Sequence, residues 1–472
     1  MSRRPNIIFF IADDHRYESI GVNGCADVST PNLDALGRRG TIFDEAHCQG
    51  SMHPAVCVPS RASLMTGRNI FASSCNPTAD DYTTGQSECA AFTIPADLPT
   101  FPQRLRDTGY VTHAIGKWHN DRAAFARSFS SGDRIFFGGM SDHDKVPLNA
   151  FDATGVYSPA AVHYEDGLST ELFADSARRF LRTRRSDAPF CLYVAFTAPH
   201  DPRTPPPEYV VSPADIALTT NVLPSHPFDN GDALVRDETL ETFPRSRDSV
   251  RRHLADYYGM IAHLDAAIGS ILATAGEMGL LDDTVVVYTA DHGLALGQNG
   301  LMGKQNVYEH SLHVPLMMAG PGIRAGGRVP HLVWHADTRA TLLDMAGLTV
   351  EAASDGESLR TLLEGGGQAL RGTFCAAYRS SQRMIRNHRY KLIRYFPWRL
   401  FDAPATLGYP VPTPGSSVEQ LFDLQEDPGE MVNLVWREDL QPLRNELASQ
   451  LEDWQHRSGD PYVRQMISPR GI

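Results

Sequence analysis

NIIFFIADD, residues 6–14, joins a run of apolar and β-branched side chains to two carboxylates. Such a run is typical of a strand that is buried on both faces of a parallel sheet. Three later runs share this form, each followed by charged or imidazole side chains: YVTHAI before Lys117 and His119, CLYVAFTAP before His200, and TVVVYTA before Asp291 and His292. Because ligands bind beyond the carboxyl ends of parallel strands, we expect these side chains to meet in one crevice.

Helical patterns alternate with these runs. In TPNLDALGRRG, residues 30–40, Thr30 can cap a helix, Pro31 suits its first position and Gly40 can close it. A second helix is predicted over residues 101–107 and an amphipathic one over 255–279, whose stripe beginning at Tyr257 is interpreted as core. The alternation predicts an α/β fold with a large central, mostly parallel sheet flanked by helices.

The composition changes near Arg371, which predicts two units, a catalytic domain over residues 1–370 and an α+β subdomain over 371–472. In the second unit, MIRNHRYKLIRY and QLFDL predict a small antiparallel sheet, followed by a helix over residues 440–455. Residues 202–207 and 225–247 are rich in proline, charge and turn formers, so we expect surface excursions along the rim of the crevice.

The formal net charge of −13 and the pI near 5.7 argue against a nucleic-acid-binding protein. No apolar run reaches the length of a membrane span, so no membrane partner is expected. The seven cysteines are odd in number and form no CxxC pair, which favours a reducing compartment. Arg3 and Arg4 precede a short apolar run without a cleavage site, so we expect cytoplasmic residence; a leader already removed would leave the same sequence.

Cys57 opens the segment CVPSRASLMTGR, residues 57–68. Pro59 is suited to the first turn of a helix, so Cys57 is predicted at or just before a helix N-terminus. Unsatisfied N–H groups and the helix dipole at that point lower the pKa of a thiol and attract oxyanions.

This segment resembles the C-x-P-S-R-x-x-x-x-T-G-R signature of type I, formylglycine-dependent sulfatases, which belong to the alkaline phosphatase superfamily. The resemblance covers nearly the whole chain through motifs in the family's order: ADD, TPNLDALGRRG, GKWH, APH, ADHG, GKQNVYEHSLHVPLMMAGPG, KLIRY and QLFDLQEDPGEMVNL. It implies an alkaline phosphatase-like fold and hydrolysis of a sulfate monoester of a carbohydrate or other organic alcohol. The nucleophile would be a formylglycine made by oxidation of Cys57.

The resemblance also implies one divalent metal ion held by Asp13, Asp14, Asp291, His292 and an oxygen of the modified Cys57. Several oxygen ligands suit a hard cation, and the resemblance favours Ca²⁺. Many family members carry an asparagine where this chain has His292, and an imidazole ligand leaves Mg²⁺ or Mn²⁺ open.

In the mechanism that the resemblance implies, one hydroxyl of hydrated formylglycine attacks sulfur with the help of the metal and Asp291. The second hydroxyl lets the sulfated group collapse by elimination. The resemblance assigns the remaining roles as follows: His119 is the base for that elimination, Arg61 and Lys117 hold formylglycine and sulfate oxygens, and Lys304 and His200 bind sulfate and protonate the leaving oxygen.

The expected partners are a sulfated small molecule or glycan and a formylglycine-generating or equivalent maturation enzyme. The oligomeric state does not follow from the sequence. Two alternatives remain. Related enzymes with the same fold and nucleophile hydrolyse phosphonate monoesters or phosphodiesters. A non-catalytic binder of sulfated glycans is disfavoured by the intact modification signature around Cys57.

Overall fold

The computed structural model describes residues 4–74, 93–226, 235–379, 381–396 and 418–461. Within these ranges, the central sheet has eight strands in the order β5-β4-β6-β1-β7-β8-β2-β9. Their bounds are β1 Asn6–Ala12, β2 Thr41–His47, β4 Val111–Lys117, β5 Ser131–Phe136, β6 Phe190–Ala195, β7 Thr284–Ala290, β8 Leu316–Ala319 and β9 Gly327–Trp334. All of the pairings within this sheet are parallel except the two made by β8, which confirms the predicted mostly parallel sheet.

Helices cover both faces of this sheet. Their bounds are α1 Pro31–Arg39, α2 Cys57–Thr66, α3 Phe101–Arg106, α4 Arg122–Ser128, α5 Ser169–Thr183, α6 Arg247–Glu277, α7 Glu309–Leu312, α8 His335–Met345, α9 Arg360–Leu363 and α10 Gln441–Ser458. Alternate residues of β1 belong to two different cores. Ile8 and Phe10 pack in the cluster that includes α1, α5 and α6, whereas Ile7 and Phe9 pack in the cluster that includes α2, α3, α4 and α8. The predicted α/β arrangement, a central sheet flanked by helices, is therefore present.

The start of α1 differs from the prediction in one respect. Pro31 is the first helical residue as expected, but the Thr30 side chain makes no capping hydrogen bond. Instead, Asp265 of α6 accepts from the backbone N–H groups of Asn32 at 3.1 Å and Leu33 at 2.7 Å. The hydroxyl of Thr30 accepts from the N–H of Gly21 and donates to Asp34. A residue 233 positions away thus replaces the local cap.

Helix α6 has 31 residues and begins eight residues before the predicted start. It is long and apolar enough to cross a membrane by composition, although most of that apolar stretch is buried inside the protein. The predicted stripe is fully buried, and Tyr257, Leu264 and Ile268 each expose none of their surface. Helix α6 therefore serves as the core helix of this face of the sheet.

A second, five-stranded sheet has the order β13-β12-β11-β10-β3. Its bounds are β3 Gly50–Ser51, β10 Phe374–Tyr378, β11 Gln382–Arg386, β12 Tyr390–Tyr395 and β13 Val418–Asp423. The pairings are antiparallel except that of β3 with β10, and α10 packs its Leu447 and Leu451 against the sheet. The predicted small sheet with a terminal helix is present, with one short strand contributed by the N-terminal part of the chain. The boundary at residues 370 and 371 stays a prediction, and residues 227–234 of the predicted excursion lie outside the described ranges.

A buried ion network centred on Glu309 joins the two sheets. Glu309 accepts from Arg386 Nη1 at 2.5 Å and from Lys391 Nζ at 2.9 Å, and its Oε2 lies 3.2 Å from Nε2 of His47. Burial opposes ionisation of Glu309, but Arg386 and Lys391 hold its pKa well below the usual value. His47, Glu309 and His313 are spaced like metal ligands. Because Arg386 and Lys391 already supply the positive charge, we interpret this group as a structural ion network.

Glu309→Gln should lower the free energy of unfolding by about 3 kcal/mol, because it removes a charge that compensates two buried cations. The glutamine keeps the shape, and Glu45 and Glu430 remain as partners. Urea unfolding followed by circular dichroism measures the change. The matched control is Glu364→Gln, which breaks the exposed pair of Glu364 with Arg360 and should change stability by less than about 0.5 kcal/mol. Equal effects of the two substitutions would contradict this role of Glu309.

Candidate active site

Four neighbouring strands of the central sheet end at polar side chains. Asp13 follows β1, Lys117 ends β4, His200 comes after β6 and Asp291 follows β7. Since these strands lie in the order β4-β6-β1-β7, their carboxyl ends meet at one edge of the sheet. The convergence expected from the sequence is therefore observed.

Cys57 is the first residue of α2, two positions before Pro59, so the helix begins earlier than Pro59 alone predicts. All ten residues of α2 are buried. Arg61 lies one turn after Cys57 and faces the same side of the helix. At the other end, Gly67 has a φ of 70°, and a Cβ atom there would lie 2.7 Å from Cδ of Arg339. This turn therefore requires glycine.

The sulfur of Cys57 lies at the centre of the predicted residues. His292 Nε2 is 3.1 Å from it, and the Nζ atoms of Lys117 and Lys304 are each 3.8 Å away. The thiol donates to Oδ1 of Asp13 at 3.5 Å. Only 2% of the surface of Cys57 is exposed, so the thiol is buried among these charged groups.

The three carboxylates of the site are each paired with a cation. Lys117 Nζ donates to Asp13, and Lys304 Nζ donates to both carboxylate oxygens of Asp14, at 2.7 and 2.9 Å. Arg61 Nε donates to Oδ2 of Asp291 at 2.9 Å. These side chains are between 0% and 4% exposed, so water screens their charges little.

Two imidazoles flank this cluster. Burial, together with Lys117 and Arg61, holds the pKa of His119 well below the usual value, so its ring is neutral. Its Nδ1 is buried without a hydrogen-bond partner in the part of the chain that the structure describes. His200 is held through Nδ1, which lies 2.7 Å from the carbonyl of Asp201, and its Nε2 lies 3.9 Å from Oδ2 of Asp14. The structure therefore brings every predicted site residue to one place.

Sequence reasoning missed several residues that hold this arrangement. Ser60 Oγ donates to the main-chain oxygen of Asp291 at 2.5 Å and lies 3.2 Å from Nδ1 of His335. His335 Nε2 donates to the carbonyl of Ala290 at 2.9 Å, and the carbonyl of Gly139 accepts from Lys117 Nζ at 2.6 Å. Ser60 lies within the quoted signature, whereas His335 and Gly139 follow no pattern that marks them.

Burial and the neighbouring charges shift the pKa values of the site residues in different directions. Burial raises the pKa of Asp13 to about 8 although Lys117 opposes the shift. Burial also disfavours ionised Asp14, but Lys304, His200 and His292 lower its pKa to about 2. For His292, burial acts against the charged ring, yet Asp291 and Cys57 raise its pKa to about 9. Asp13 and His292 would therefore each lose a proton when a cation binds.

The donor set forms a candidate metal site. Ligand atoms of Asp13, Cys57, Asp291 and His292 lie within 4.8 Å of one another, and so do those of Asp13, Asp14, Cys57 and His200. Several carboxylate oxygens suit a hard divalent cation. The imidazole of His292 is equally compatible with Mn²⁺, so the donor set does not select one metal.

Comparison with known proteins places this geometry in context. The sequence profile of the sulfatase family matches residues 5–348, and that of the N-sulphoglucosamine sulphohydrolase C-terminal region matches residues 297–405. The N-acetylglucosamine-6-O-sulfatase of Bacteroides thetaiotaomicron is 26% identical over 545 aligned positions, which cover 100% of this chain and 90% of that protein.

Two solved structures share the fold. One is a protein in complex with its substrate D-glucosamine-2-N,6-O-disulfate, with a TM-score of 0.74 and 23% identity over 97% of this chain and 99% of that one. The other is the phosphonate monoester hydrolase of Silicibacter pomeroyi, with a TM-score of 0.69 and 20% identity over 96% of each chain. At these identities the likeness supports the fold alone.

The unmodified Cys57 thiol should ionise near neutral pH. Burial by itself would raise its pKa, but Lys117, Lys304 and His292 lower it to about 7. In contrast, burial raises the pKa of Cys48 to about 12. In metal-free protein made without maturation, the ultraviolet absorbance of thiolate should rise with pH around a midpoint of about 7.

The control for this titration is Cys57→Ala, in which the absorbance step near neutral pH should disappear. A step that remains in Cys57→Ala, or a wild-type midpoint above the ordinary thiol range, would show that the neighbouring cations do not stabilise this thiolate.

Proposed function

Because the chain belongs to the sulfatase family and is a sulfuric ester hydrolase, we propose that it acts through a formylglycine made from Cys57 and one divalent cation. The proposed substrate is a sulfate monoester of a carbohydrate or another organic alcohol. The observation that carries this proposal is the position of the Cys57 sulfur at a helix N-terminus, 3.8 Å from the ammonium groups of both Lys117 and Lys304. A tetrahedral oxyanion next to this atom would be surrounded by cations.

Asp13, Asp14, Asp291 and His292 are the residues that would hold the cation, together with an oxygen of the modified Cys57. The metal would supply Lewis acidity toward a sulfate oxygen. Formylglycine would supply two hydroxyl groups when hydrated, one to attack sulfur and one to permit release of sulfate by elimination. Ca²⁺ is proposed from the family resemblance, with Mg²⁺ and Mn²⁺ as alternatives.

The lysines and Arg61 would act on the charge of the sulfate group. Lys117 is paired with Asp13 and Lys304 with Asp14, so each ammonium could donate to its carboxylate and to a sulfate oxygen at once. Charge that develops on these oxygens would be stabilised without reorganisation because both lysines are already fixed. Arg61 would fix the direction of the Asp291 carboxylate through the bond between Nε and Oδ2.

The two imidazoles would move the protons. His119 is neutral and has a free Nδ1 among the described residues, so it can accept a proton from the second hydroxyl during elimination. The bond from His200 Nδ1 to the carbonyl of Asp201 leaves Nε2 directed toward the site. A proton on Nε2 would pass to the oxygen of the leaving alcohol.

Hydrolysis of phosphonate monoesters or phosphodiesters is the second candidate, and the shared fold with a phosphonate monoester hydrolase is the observation that favours it. The two ammonium groups beside Cys57 support the sulfate assignment, because Lys117 and Lys304 could hold a small terminal anion from two sides. A diester carries a second organic group on the atom under attack, which these buried side chains would crowd.

The maturation enzyme and the compartment are part of the same proposal. An enzyme that oxidises Cys57 to formylglycine must act before the chain folds, since this residue is 2% exposed. The cysteines in the described part of the chain, which are Cys25, Cys48, Cys57, Cys191 and Cys375, are free thiols. This supports a reducing, cytoplasmic location.

Cys57→Ala should reduce turnover of a nitrophenyl sulfate by at least about 10³-fold, because it removes the nucleophile. The circular dichroism spectrum should stay unchanged, because alanine is only slightly smaller than cysteine. The matched control is Cys25→Ala, a partly buried thiol outside the site, which should keep wild-type turnover. Mass spectrometry of the peptide that contains residue 57, from protein made with its maturation enzyme, should show an aldehyde. Retained turnover in Cys57→Ala would contradict the proposed nucleophile.

The sulfate assignment predicts that kcat/KM for a nitrophenyl sulfate exceeds that for the matching phosphate or phosphonate monoester by about 10²-fold or more. Steady-state kinetics with one leaving group and one enzyme preparation provide the comparison. If the phosphonate ester had the higher kcat/KM, the second candidate would replace the first. If the sulfate ester has the higher kcat/KM, as expected, a screen of sulfated sugars and sulfocholine would identify the alcohol.

A further inference from the structure

Tyr257 connects the core of the protein to the turn that follows β1. This side chain lies in the first half of α6 and exposes none of its surface. Its hydroxyl donates to the main-chain oxygen of Asp14 at 2.6 Å and accepts from the N–H of Arg16 at 3.0 Å. One buried hydroxyl therefore bonds to both ends of a three-residue segment that begins with a candidate metal ligand.

The bonded segment has an unfavourable backbone conformation. Asp14 has a φ of 70°, in the left-handed region that residues with a Cβ atom adopt rarely. Such a conformation persists only where surrounding contacts hold it in place. The two hydrogen bonds to Tyr257 are contacts of this kind, because they bind the main chain itself rather than a side chain.

The peptide groups of Asp14 also link Tyr257 to the other carboxylates. The N–H of Asp14 donates to Oδ1 of Asp291 at 3.2 Å, while its carbonyl accepts from Tyr257. The carboxylate of Asp14 lies 3.2 Å from Nδ1 of His292 and is bonded to Lys304. A change in the orientation of this main chain would therefore move the Asp14 carboxylate and weaken the contact with Asp291.

The ring of Tyr257 is held independently of its hydroxyl. The guanidinium carbons of Arg16 and Arg203 lie 5.4 and 5.7 Å from the ring centroid, at cation–π distance. Burial raises the pKa of Tyr257 to about 12, so the phenol stays neutral and can donate. Replacement by phenylalanine would therefore keep the ring in place and remove the hydroxyl alone.

From these contacts we infer that Tyr257 is a positioning residue that holds Asp14 in the geometry needed to bind the divalent cation. This inference rests on the proposed metal-dependent function and adds a residue outside the family motifs quoted for the site. Tyr257 is not one of the residues that would hold the cation. It acts through the main chain of Asp14, and its effect should appear in cation affinity rather than in the fold.

The test compares Tyr257→Phe with Tyr258→Phe. Tyr258 is the next residue on α6 and is also buried, but its hydroxyl interacts with Cys25 rather than with Asp14. Matured protein, in which Cys57 has been converted to formylglycine, is stripped of metal by a chelator, and CaCl₂ or MnCl₂ is titrated in by isothermal calorimetry. Tyr257→Phe should raise the Kd of the cation about tenfold, the size expected for one buried hydrogen bond, whereas Tyr258→Phe should change it less than about twofold.

A second readout separates positioning from general destabilisation. In matured enzyme, excess cation should restore most of the kcat of Tyr257→Phe, because the missing bond lowers occupancy of the site. An unchanged Kd in Tyr257→Phe, or an equal rise in both variants, would overturn the inference and leave the proposed function intact. If wild-type protein bound neither cation, the metal-dependent function and the inference would both be wrong.

Discussion

Three buried carboxylates lie at one edge of the central sheet, and the rest of the site must compensate their negative charge. Asp13, Asp14 and Asp291 expose at most 1% of their surface, and in so dry a place like charges repel strongly. Lys117, Lys304 and Arg61 each pair with one of these carboxylates. Burial raises the pKa of Asp13, whereas Asp291 and Cys57 raise the pKa of His292 against the effect of burial. A divalent cation among the three carboxylates would stabilise their ionised forms, and the flanking lysines would remain able to bind an anion.

The fold produces this concentration of charge from simple elements. The strands β6, β1 and β7 are adjacent, parallel and buried, so the first polar residues after them lie side by side. Helix α2 brings the thiol of Cys57 and the guanidinium of Arg61 to the same edge. Farther out, the network around Glu309 fixes the small sheet against the segment that follows Lys304. Cys57 and Arg61 thus lie on a helix, and Asp13 and Asp291 directly follow buried strands, which favours a preorganised catalytic centre.

The sequence was sufficient where local chemistry decides the structure. The strands β1 and β7 were predicted with their observed bounds. A short run of apolar and β-branched residues that ends at charged residues is typical of a strand buried on both faces. It was insufficient where distant residues decide. The first two turns of α6, RDSVRRHL, contain only two apolar residues, Val250 and Leu254, among mostly polar and charged ones, so the predicted helix began too late. The cap of α1 comes from Asp265, and the hydroxyl of Tyr257 bonds to a turn 243 residues away, although its place in an apolar stripe marks it only as core.

The central claim is that Asp13, Asp14, Asp291 and His292 surround a single cation beside Cys57. Its most direct test is an anomalous difference map from crystals of the metal-free protein soaked in MnCl₂. We expect one strong peak within coordination distance of oxygen atoms from these aspartates and of the His292 ring. A peak between His47, Glu309 and His313, or the absence of any peak near residue 57, would contradict the account.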